Sequence, residues 1–378
     1  MSAEAPTPTR PGPRHFSMRL PRTVWITVAT IIGSAVVIGG ISVAARIVIR
    51  SLFAPHARDT ARSAHVQIAF DISPAGDMIV FSAADGDLYA LNFETQGILR
   101  LTDSSEIEST PRFHPEGGGI IFARETAEHS GSSIFTSSMD RKEVRQLTHG
   151  ANVYDSSPAY SADGSMIVFA RALRNRPYSL GGSTWDKWDL YSMKSDGSDL
   201  QRITREEYFT LESPNFSIDG TQVIFSATPM GSGAQLSTIF EVDAHGRAAP
   251  TVPANDQPTP GRCASWASEP RLSPDGSRIV FVSDRKSPYR YVIFTAGRDG
   301  SNPIAIGVAP TVSRYNQSPV FTPDGQGILF LASRTFGVGN RPVLSLWRVE
   351  ANGANPLCLA TSHLLQTGRL ATDKPSAE

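Results

Sequence analysis

The chain has 378 residues, including 31 Gly, 27 Pro and 2 Cys, and a formal net charge of −1. Near-balanced charge excludes bulk electrostatic attraction to nucleic acid or to an anionic membrane surface. Two cysteines exclude a disulfide scaffold, and the abundant Gly and Pro fit a turn-rich fold, with length enough for one large ring or two average domains.

Residues 1–23 are polar and Pro-rich, carry Arg10, Arg14, Arg19 and Arg22, and read as a disordered tail. Val24 to Ala45 has no charged residue and is long enough to cross a bilayer as a helix. Ile47, Val48 and Ile49 prolong the apolar run past Arg46, which favours an uncleaved transmembrane anchor over 24–49 against a cleaved signal peptide. Arg46, Arg50, Arg58 and Arg62 flank its far end, so the positive-inside count is nearly balanced. Residues 50–65 are a polar linker.

From residue 66 the chain repeats itself. Ser273-Pro274-Asp275-Gly276 followed by Ile279-Val280-Phe281-Val282 reads as strand, tight turn, strand. Pro presets φ at the first corner of the turn and Gly tolerates the positive φ that follows. The turn recurs with Gly76, Gly117, Gly164, Gly220 and Gly325, roughly every 50 residues, in the range of propeller blades. After each hairpin comes an apolar residue and then an aromatic: Leu88-Tyr89, Ile134-Phe135, Leu190-Tyr191, Ile239-Phe240, Ile293-Phe294 and Leu346-Trp347. Short outer strands close some units, as in Arg100-Leu101-Thr102, Gln146-Leu147-Thr148 and Arg202-Ile203-Thr204. Each unit is thus four antiparallel strands, a to d, with a innermost. One such sheet cannot bury both faces, but ringed sheets bury one another. The expectation is an all-β, six-bladed β-propeller of four-stranded blades over 66–361, preceded by one N-terminal transmembrane helix and followed by a disordered tail over 362–378.

The Phe-Ser-Pro-Asp-Gly turn with its Ile-Val-Phe strand, the downstream Leu-Tyr pair and Asp-Gly turn resemble the TolB-type propeller repeat, a bacterial cousin of the WD-repeat propellers. The resemblance covers about residues 66–361. It implies the fold first, and then a group of periplasmic binding proteins, propeller caps of peptidases and occasional enzymes. It is also what favours a propeller outside the cytoplasm, in the periplasm or at the cell surface. TolB itself carries a small α/β domain ahead of its propeller. Here the apolar segment stands in that place, so a Tol-Pal role is not implied.

Strand alternation puts the short a–b and c–d turns at one end of the ring and the longer b–c and d–a loops at the other. Working residues sit by preference on variable loops held by a rigid scaffold, so the long-loop end is the candidate binding face. Four residues before the strand-a proline stand Ile107, Tyr154, Thr210, Trp266 and Tyr315. Between them and the proline lie Glu108, Asp155, Glu212, Glu269 and Gln317. Aromatics above acids at a channel mouth suit a peptide or a basic group, Tyr and Trp being favoured anchors at interfaces. The same aromatics also serve as wedges between blades, and the acids as local caps. The insertion of the third unit mixes Arg174, Arg176 and Tyr178 with Trp185 and Trp188, which suits a protein or a carbohydrate.

No Gly-x-Ser-x-Gly elbow marks a hydrolase, and no Gly-rich phosphate loop or metal-spaced cysteine pair occurs. His114 and His245 fall on short turns, at the opposite end from His129 and His149, so these histidines do not converge on a metal. Cys263 and Cys358 belong to an inner and an outer strand region and read as separate thiols. The expectation is a membrane-anchored, extracytoplasmic, non-catalytic propeller with no cofactor, which binds a protein, peptide or glycan through its long-loop face. The alternative is a channel-sited hydrolase or lyase in which Glu108, Asp155, Glu212 or Glu269 holds a divalent metal.

Overall fold

The computed structural model describes residues 69–126, 130–177, 183–231, 237–247, 266–285, 290–306, 315–334 and 343–361. All of them belong to one compact unit, Ile41–Glu378, and their regular structure is entirely β. The first repeat unit consists of β1 (Phe70–Ile72), β2 (Met78–Ser82), β3 (Leu88–Asn92) and β4 (Ile98–Arg100), paired antiparallel in that order. Its first turn is closed by the Gly76 N–H donating to Ser73 O at 2.9 Å, with Gly76 at φ 76°. Ile79, Val80 and Phe81 of β2 are all fully buried, so both faces of that strand are covered.

The second unit is β5 (Ile107–Phe113), β6 (Gly119–Glu125), β7 (Ser132–Ser138) and β8 (Val144–Gln146). The third is β9 (Tyr154–Tyr160), β10 (Met166–Pro177), β11 (Ser183–Lys194) and β12 (Gln201–Arg202). The fourth comprises β13 (Thr210–Phe216), β14 (Gln222–Thr228) and β15 (Thr238–Asp243). The fifth is β16 (Ala267–Leu272), β17 (Arg278–Ser283), β18 (Val292–Gly297) and β19 (Ile304–Ile306). The sixth is β20 (Tyr315–Phe321), β21 (Gly327–Arg334), β22 (Val343–Glu350) and β23 (Leu357–Thr361).

Short polar devices fix each unit's shape. In four turns a hydroxyl donates to the turn aspartate: Ser161 to Asp163, Ser217 to Asp219, Ser273 to Asp275 and Thr322 to Asp324. The same aspartates accept the N–H two residues on, as in an Asx turn. Outer strands are stapled by threonine. Thr102, Thr148 and Thr204 accept the N–H of Leu88, Ile134 and Leu190 at 2.8, 2.9 and 3.0 Å.

The core lies between the units rather than within them. One apolar cluster joins Val80 and Leu88 to Phe113 and Phe122, and the next joins Phe122's neighbour Ile121 to Ile167 and Phe169. Others join Val168 to Phe225, Ile224 to Phe281, and Val280 to Phe330. The last joins Leu329, Leu331 and Leu346 of the sixth unit to Phe70, Ile79 and Phe81 of the first, so the arrangement closes on itself. The turns repeat this order. A Cβ on Gly117 would meet Pro74 at 3.8 Å, one on Gly325 would meet Pro274 at 3.7 Å, and one on Gly76 would meet Pro323 at 3.5 Å.

The architecture is a β-propeller, but six separate four-stranded sheets are not what the strands make. They form five sheets, of four, eight, three, four and four strands. The second and third units share the eight-stranded sheet because β7 reaches β9 in parallel through Ser132 and Tyr154. The Ser132 N–H donates to Val153 O at 3.1 Å and its hydroxyl to Asp155 O at 2.7 Å. The fourth unit shows three strands among the described residues, since 248–265 lie outside them. The transmembrane segment expected over 24–49 also lies outside the described residues, and among those described no helix is long and apolar enough to cross a membrane.

Candidate functional site

The innermost strands β1, β5, β9, β13, β16 and β20 follow one another around a central channel. In five of them the residue before the proline has a left-handed backbone: Thr110, Ser157, Ser213, Glu269 and Ser318, with φ between 50° and 54°. None is glycine, and a non-glycine residue in this region is strained, the more so ahead of proline. Each sits at a bulge in the pairing of its inner strand or beside one. The bulges are tied from unit to unit. Ser157 N–H donates to Thr110 Oγ1 at 3.2 Å, and Ser318 N–H donates to Glu269 Oε2.

These residues line a cavity of about 50 Å³, together with Arg112, Glu212 and Arg271. A water needs about 10–15 Å³ of such space, so the cavity has room for a small polar group. Just past the bulges, a polar brace crosses the channel. Arg112 Nη1 and Arg271 Nη1 each stand 3.7 Å from Asp71 Oδ1. Arg112 Nη2 donates to Asn215 Oδ1 at 3.1 Å, and Arg271 Nη1 approaches the same oxygen at 3.5 Å. Asn215 Nδ2 donates to Ser213 O and Pro270 O, and Phe113 N–H donates to Asp71 Oδ2 at 3.0 Å. Burial raises the Asp71 carboxyl above its ordinary range despite the Arg112 charge, and burial lowers the Arg112 guanidinium below its own.

The acids expected at the channel mouth divide into two kinds. Glu108 and Asp155 are fully buried. Glu108 accepts from Ser104 at 2.5 Å, Thr102 at 3.2 Å and Arg124 Nε at 3.1 Å. Burial raises its carboxyl above the ordinary range, against the Ser104 hydrogen bond and the Arg124 charge. Asp155 takes a two-pronged contact from Arg171, at 2.6 and 2.8 Å. Both arginines also lie over aromatic rings, Arg124 over Phe135 at 4.4 Å and Arg171 over Tyr191 at 5.0 Å. Glu212 and Glu269 line the channel instead. Gln317 pairs with Leu331 at the end of the β20 bulge.

The aromatics stand apart from one another. Tyr154 packs on Trp185 at 5.6 Å and Trp188 at 5.9 Å, and its hydroxyl donates to Glu125 Oε2 at 3.1 Å. Burial, and then Glu125, hold the phenol well above its ordinary pKa. Trp266 meets Tyr291 edge-on at 4.8 Å. Ile107 is buried, and Tyr315 lies at the start of β20. Arg174 and Arg176 both reach the fully buried Asp186, at 2.5 and 2.8 Å, on a ribbon where β10 and β11 outrun their neighbours. Tyr178 and Cys263 lie outside the described residues. Among the described residues, no group of three His, Cys, Asp or Glu is placed to hold a metal ion.

Sequence reasoning passed over Asp71, Arg112, Asn215 and Arg271. The signal available was positional, since all four occupy the residue after the inner-strand proline or its equivalent in β1. It also passed over Arg124 and Arg171, each two residues after the buried Phe of strand b.

A closed ring of strand units around a narrow polar channel defines a β-propeller. The TolB beta propeller domain family matches residues 42–267, and the chain belongs to that family. A Tol-Pal system protein TolB from Francisella tularensis subsp. mediasiatica is 25% identical over 252 residues, which are 66% of this chain and 52% of that protein. The chain therefore spans about half the length of the curated relatives it matches. Among solved structures, TolB from Acinetobacter baumannii aligns with a TM-score of 0.53 and 18% identity over 76% of this chain and 61% of that one. An oligogalacturonate lyase from Vibrio parahaemolyticus aligns with a TM-score of 0.53 and 15% identity over 77% of this chain and 79% of that one. At such identities the two structures speak to the fold alone.

Proposed function

We propose that this chain is a non-catalytic, protein-binding propeller that works outside the cytoplasm, anchored through residues 24–49, with its long-loop end as the docking face. The six inner strands and the six clusters between units support a count of six blades. One observation carries the reading. Two half-buried aromatic pairs support it: Tyr154 at the start of β9 packed on Trp185 of β11, and Trp266 just ahead of β16 packed on Tyr291 just ahead of β18. Half-buried Trp and Tyr presented by rigid strands are what interface anchors require. Two acids that the rival hydrolase or lyase reading would recruit, Glu108 and Asp155, are already held by Arg124 and Arg171, which supports a binding role over a catalytic one. Membership of the TolB propeller family, with relatives named for the Tol-Pal system, supports a protein as the partner.

The test is capture of partners from membrane extracts with the full chain, compared with Trp185→Ala and Trp266→Ala variants. Loss of a captured protein with both variants still folded supports the reading. Equal capture by both variants, or a stoichiometric metal in the purified protein that promotes cleavage of a substrate, overturns it.

A further inference from the structure

Arg112 and Arg271 are the least expected residues of the channel. A guanidinium has five N–H donors in a fixed fork and no acceptor. Two of them face one another here around a single carboxylate oxygen and a single amide oxygen. At 3.7 Å, Asp71 Oδ1 is beyond hydrogen-bond reach of both. Its other oxygen is taken by the Phe113 N–H. Asn215 Oδ1 receives one sound hydrogen bond, from Arg112, and one at the limit, from Arg271. Donors therefore outnumber acceptors in the brace, where two positive charges meet the one negative charge of Asp71, while Glu212 and Glu269 add two negative charges elsewhere along the lining.

The surplus donors are not sealed in protein. Among the described residues, the buried side-chain N and O atoms lacking a partner are Ser268 Oγ and Asn316 Oδ1, with no arginine nitrogen beside them. The unmatched N–H groups of Arg112 and Arg271 thus open onto the cavity they line. That cavity also shows the hydroxyl-bearing residues Thr110, Ser157, Ser213 and Ser318, held in their strained left-handed bulges. Strain of this kind persists where the surrounding structure over-determines it, and clusters at binding sites. Glu212 and Glu269 belong to the same lining, with Glu269 accepting the Ser318 N–H. Both precede the strand-a proline while the arginines follow it, so an entering anion passes the acids before it meets the guanidinium pair.

We propose that the channel is a carboxylate-binding site, in which Arg112 and Arg271 grip one carboxylate group between them. A planar carboxylate matches the guanidinium fork, and its size suits a cavity of about 50 Å³. The group comes either from the C-terminal end of a peptide or from a free organic acid. This inference rests on the long-loop end being the binding face, from which a ligand meets the starts of the inner strands first, but it does not rest on the aromatic anchors.

The experiment uses the full chain and two uncharged-or-charged twins, N-acetylglycine and N-acetylglycinamide, followed by calorimetric titration. N-acetylglycine binds, and the amide binds at least about tenfold more weakly, the loss expected when charge-assisted hydrogen bonds become neutral ones. Acetate and a tripeptide with a free C-terminus separate the two sources: a tighter tripeptide indicates a chain terminus, and equal binding indicates a free acid. Arg271→Gln weakens N-acetylglycine about tenfold, whereas Asp71→Asn, which removes the internal competitor, tightens it. Trp185→Ala and Trp266→Ala leave it unchanged, so failure of the docking face and failure of the channel site are told apart. Equal binding of acid and amide, no binding of either, or weaker binding by Asp71→Asn overturns the proposal.

Discussion

Thr204 shows how much one hydroxyl can fix. It accepts the Leu190 N–H at 3.0 Å and donates to Asp189 Oδ1 at 2.7 Å, with all three groups buried. Replacing it by Val keeps the shape, strands the buried Leu190 N–H and leaves Asp189 Oδ1 with the Glu206 N–H at 3.1 Å. The expected cost is about 1–3 kcal/mol, read from the midpoint of urea unfolding. The turn aspartates make a different statement about pH. Hydrogen bonds from Ser161 and Ser165 depress Asp163 to about 2, those from Ser217 and Thr221 depress Asp219 to about 2, and those from Ser273 and Ser277 do the same for Asp275. A carboxyl that is more acidic in the folded chain than in the unfolded one stabilises the fold above the unfolded value of 3.8, and that contribution disappears as pH falls toward 2. Burial gives Glu108 and Asp71 the opposite sign, so acidification relieves a cost there. The Asp163→Asn, Asp219→Asn, Asp275→Asn triple variant should therefore lose less stability than the parent between about pH 4 and pH 2, measured by denaturant midpoints across that range. An unchanged slope would refute the assignment.

The elements repeat, but their turns do not tolerate change equally. Gly164, Gly220 and Gly246 all have φ near +70°. A Cβ at Gly220 meets nothing within 4 Å, at Gly164 it comes within 2.8 Å of the His114 ring, and at Gly246 it comes within 2.6 Å of Ile203 O. Substitution by Ala carries the left-handed penalty of about 1–2 kcal/mol at each. Gly220→Ala should cost little more, Gly164→Ala more as His114 swings away, and Gly246→Ala most because its obstacle is backbone. Thermal unfolding of the three variants ranks them, and a Gly220 variant as damaged as the Gly246 one would contradict the ordering. The Gly164 and Gly220 turns were also the most legible part of the sequence, because Asp-Gly after a hydroxyl residue has a local cause. The channel arginines were not, because Arg112 and Arg271 gain their meaning only when units far apart in sequence face each other. The same holds for Glu108 and Asp155. Their spacing before the proline was visible, but their arginine partners come from the neighbouring strand.

At the scale of the molecule, closure matters most. Leu331 is fully buried in the cluster that joins the sixth unit to the first. Leu331→Ala should cost about 2–5 kcal/mol. The loss should appear in the first unit too, as faster hydrogen exchange at the amides of β1 and β2. Exchange confined to the sixth unit would mean that the ring is not energetically closed. The overall all-β ring was readable from the fixed repeat. The joining of two units into one sheet was not, since nothing local to Ser132 announces that its partner is Tyr154.

That joint has a mechanical consequence. It is one of five seams crossed by main-chain hydrogen bonds: Ser132 N–H to Val153 O here, and Glu108 to Gly86, Trp188 with Tyr208, Ala267 to Ser237 and Asn316 to Tyr291 at the others, whereas among the described residues the seam from the sixth unit to the first shows packed side chains without one. A ring pulled or heated until it splits will part first where the sixth unit meets the first, so the second and third units travel together. The β10–β11 ribbon, rooted in the eight-stranded sheet opposite that opening, then stays a stiff arm.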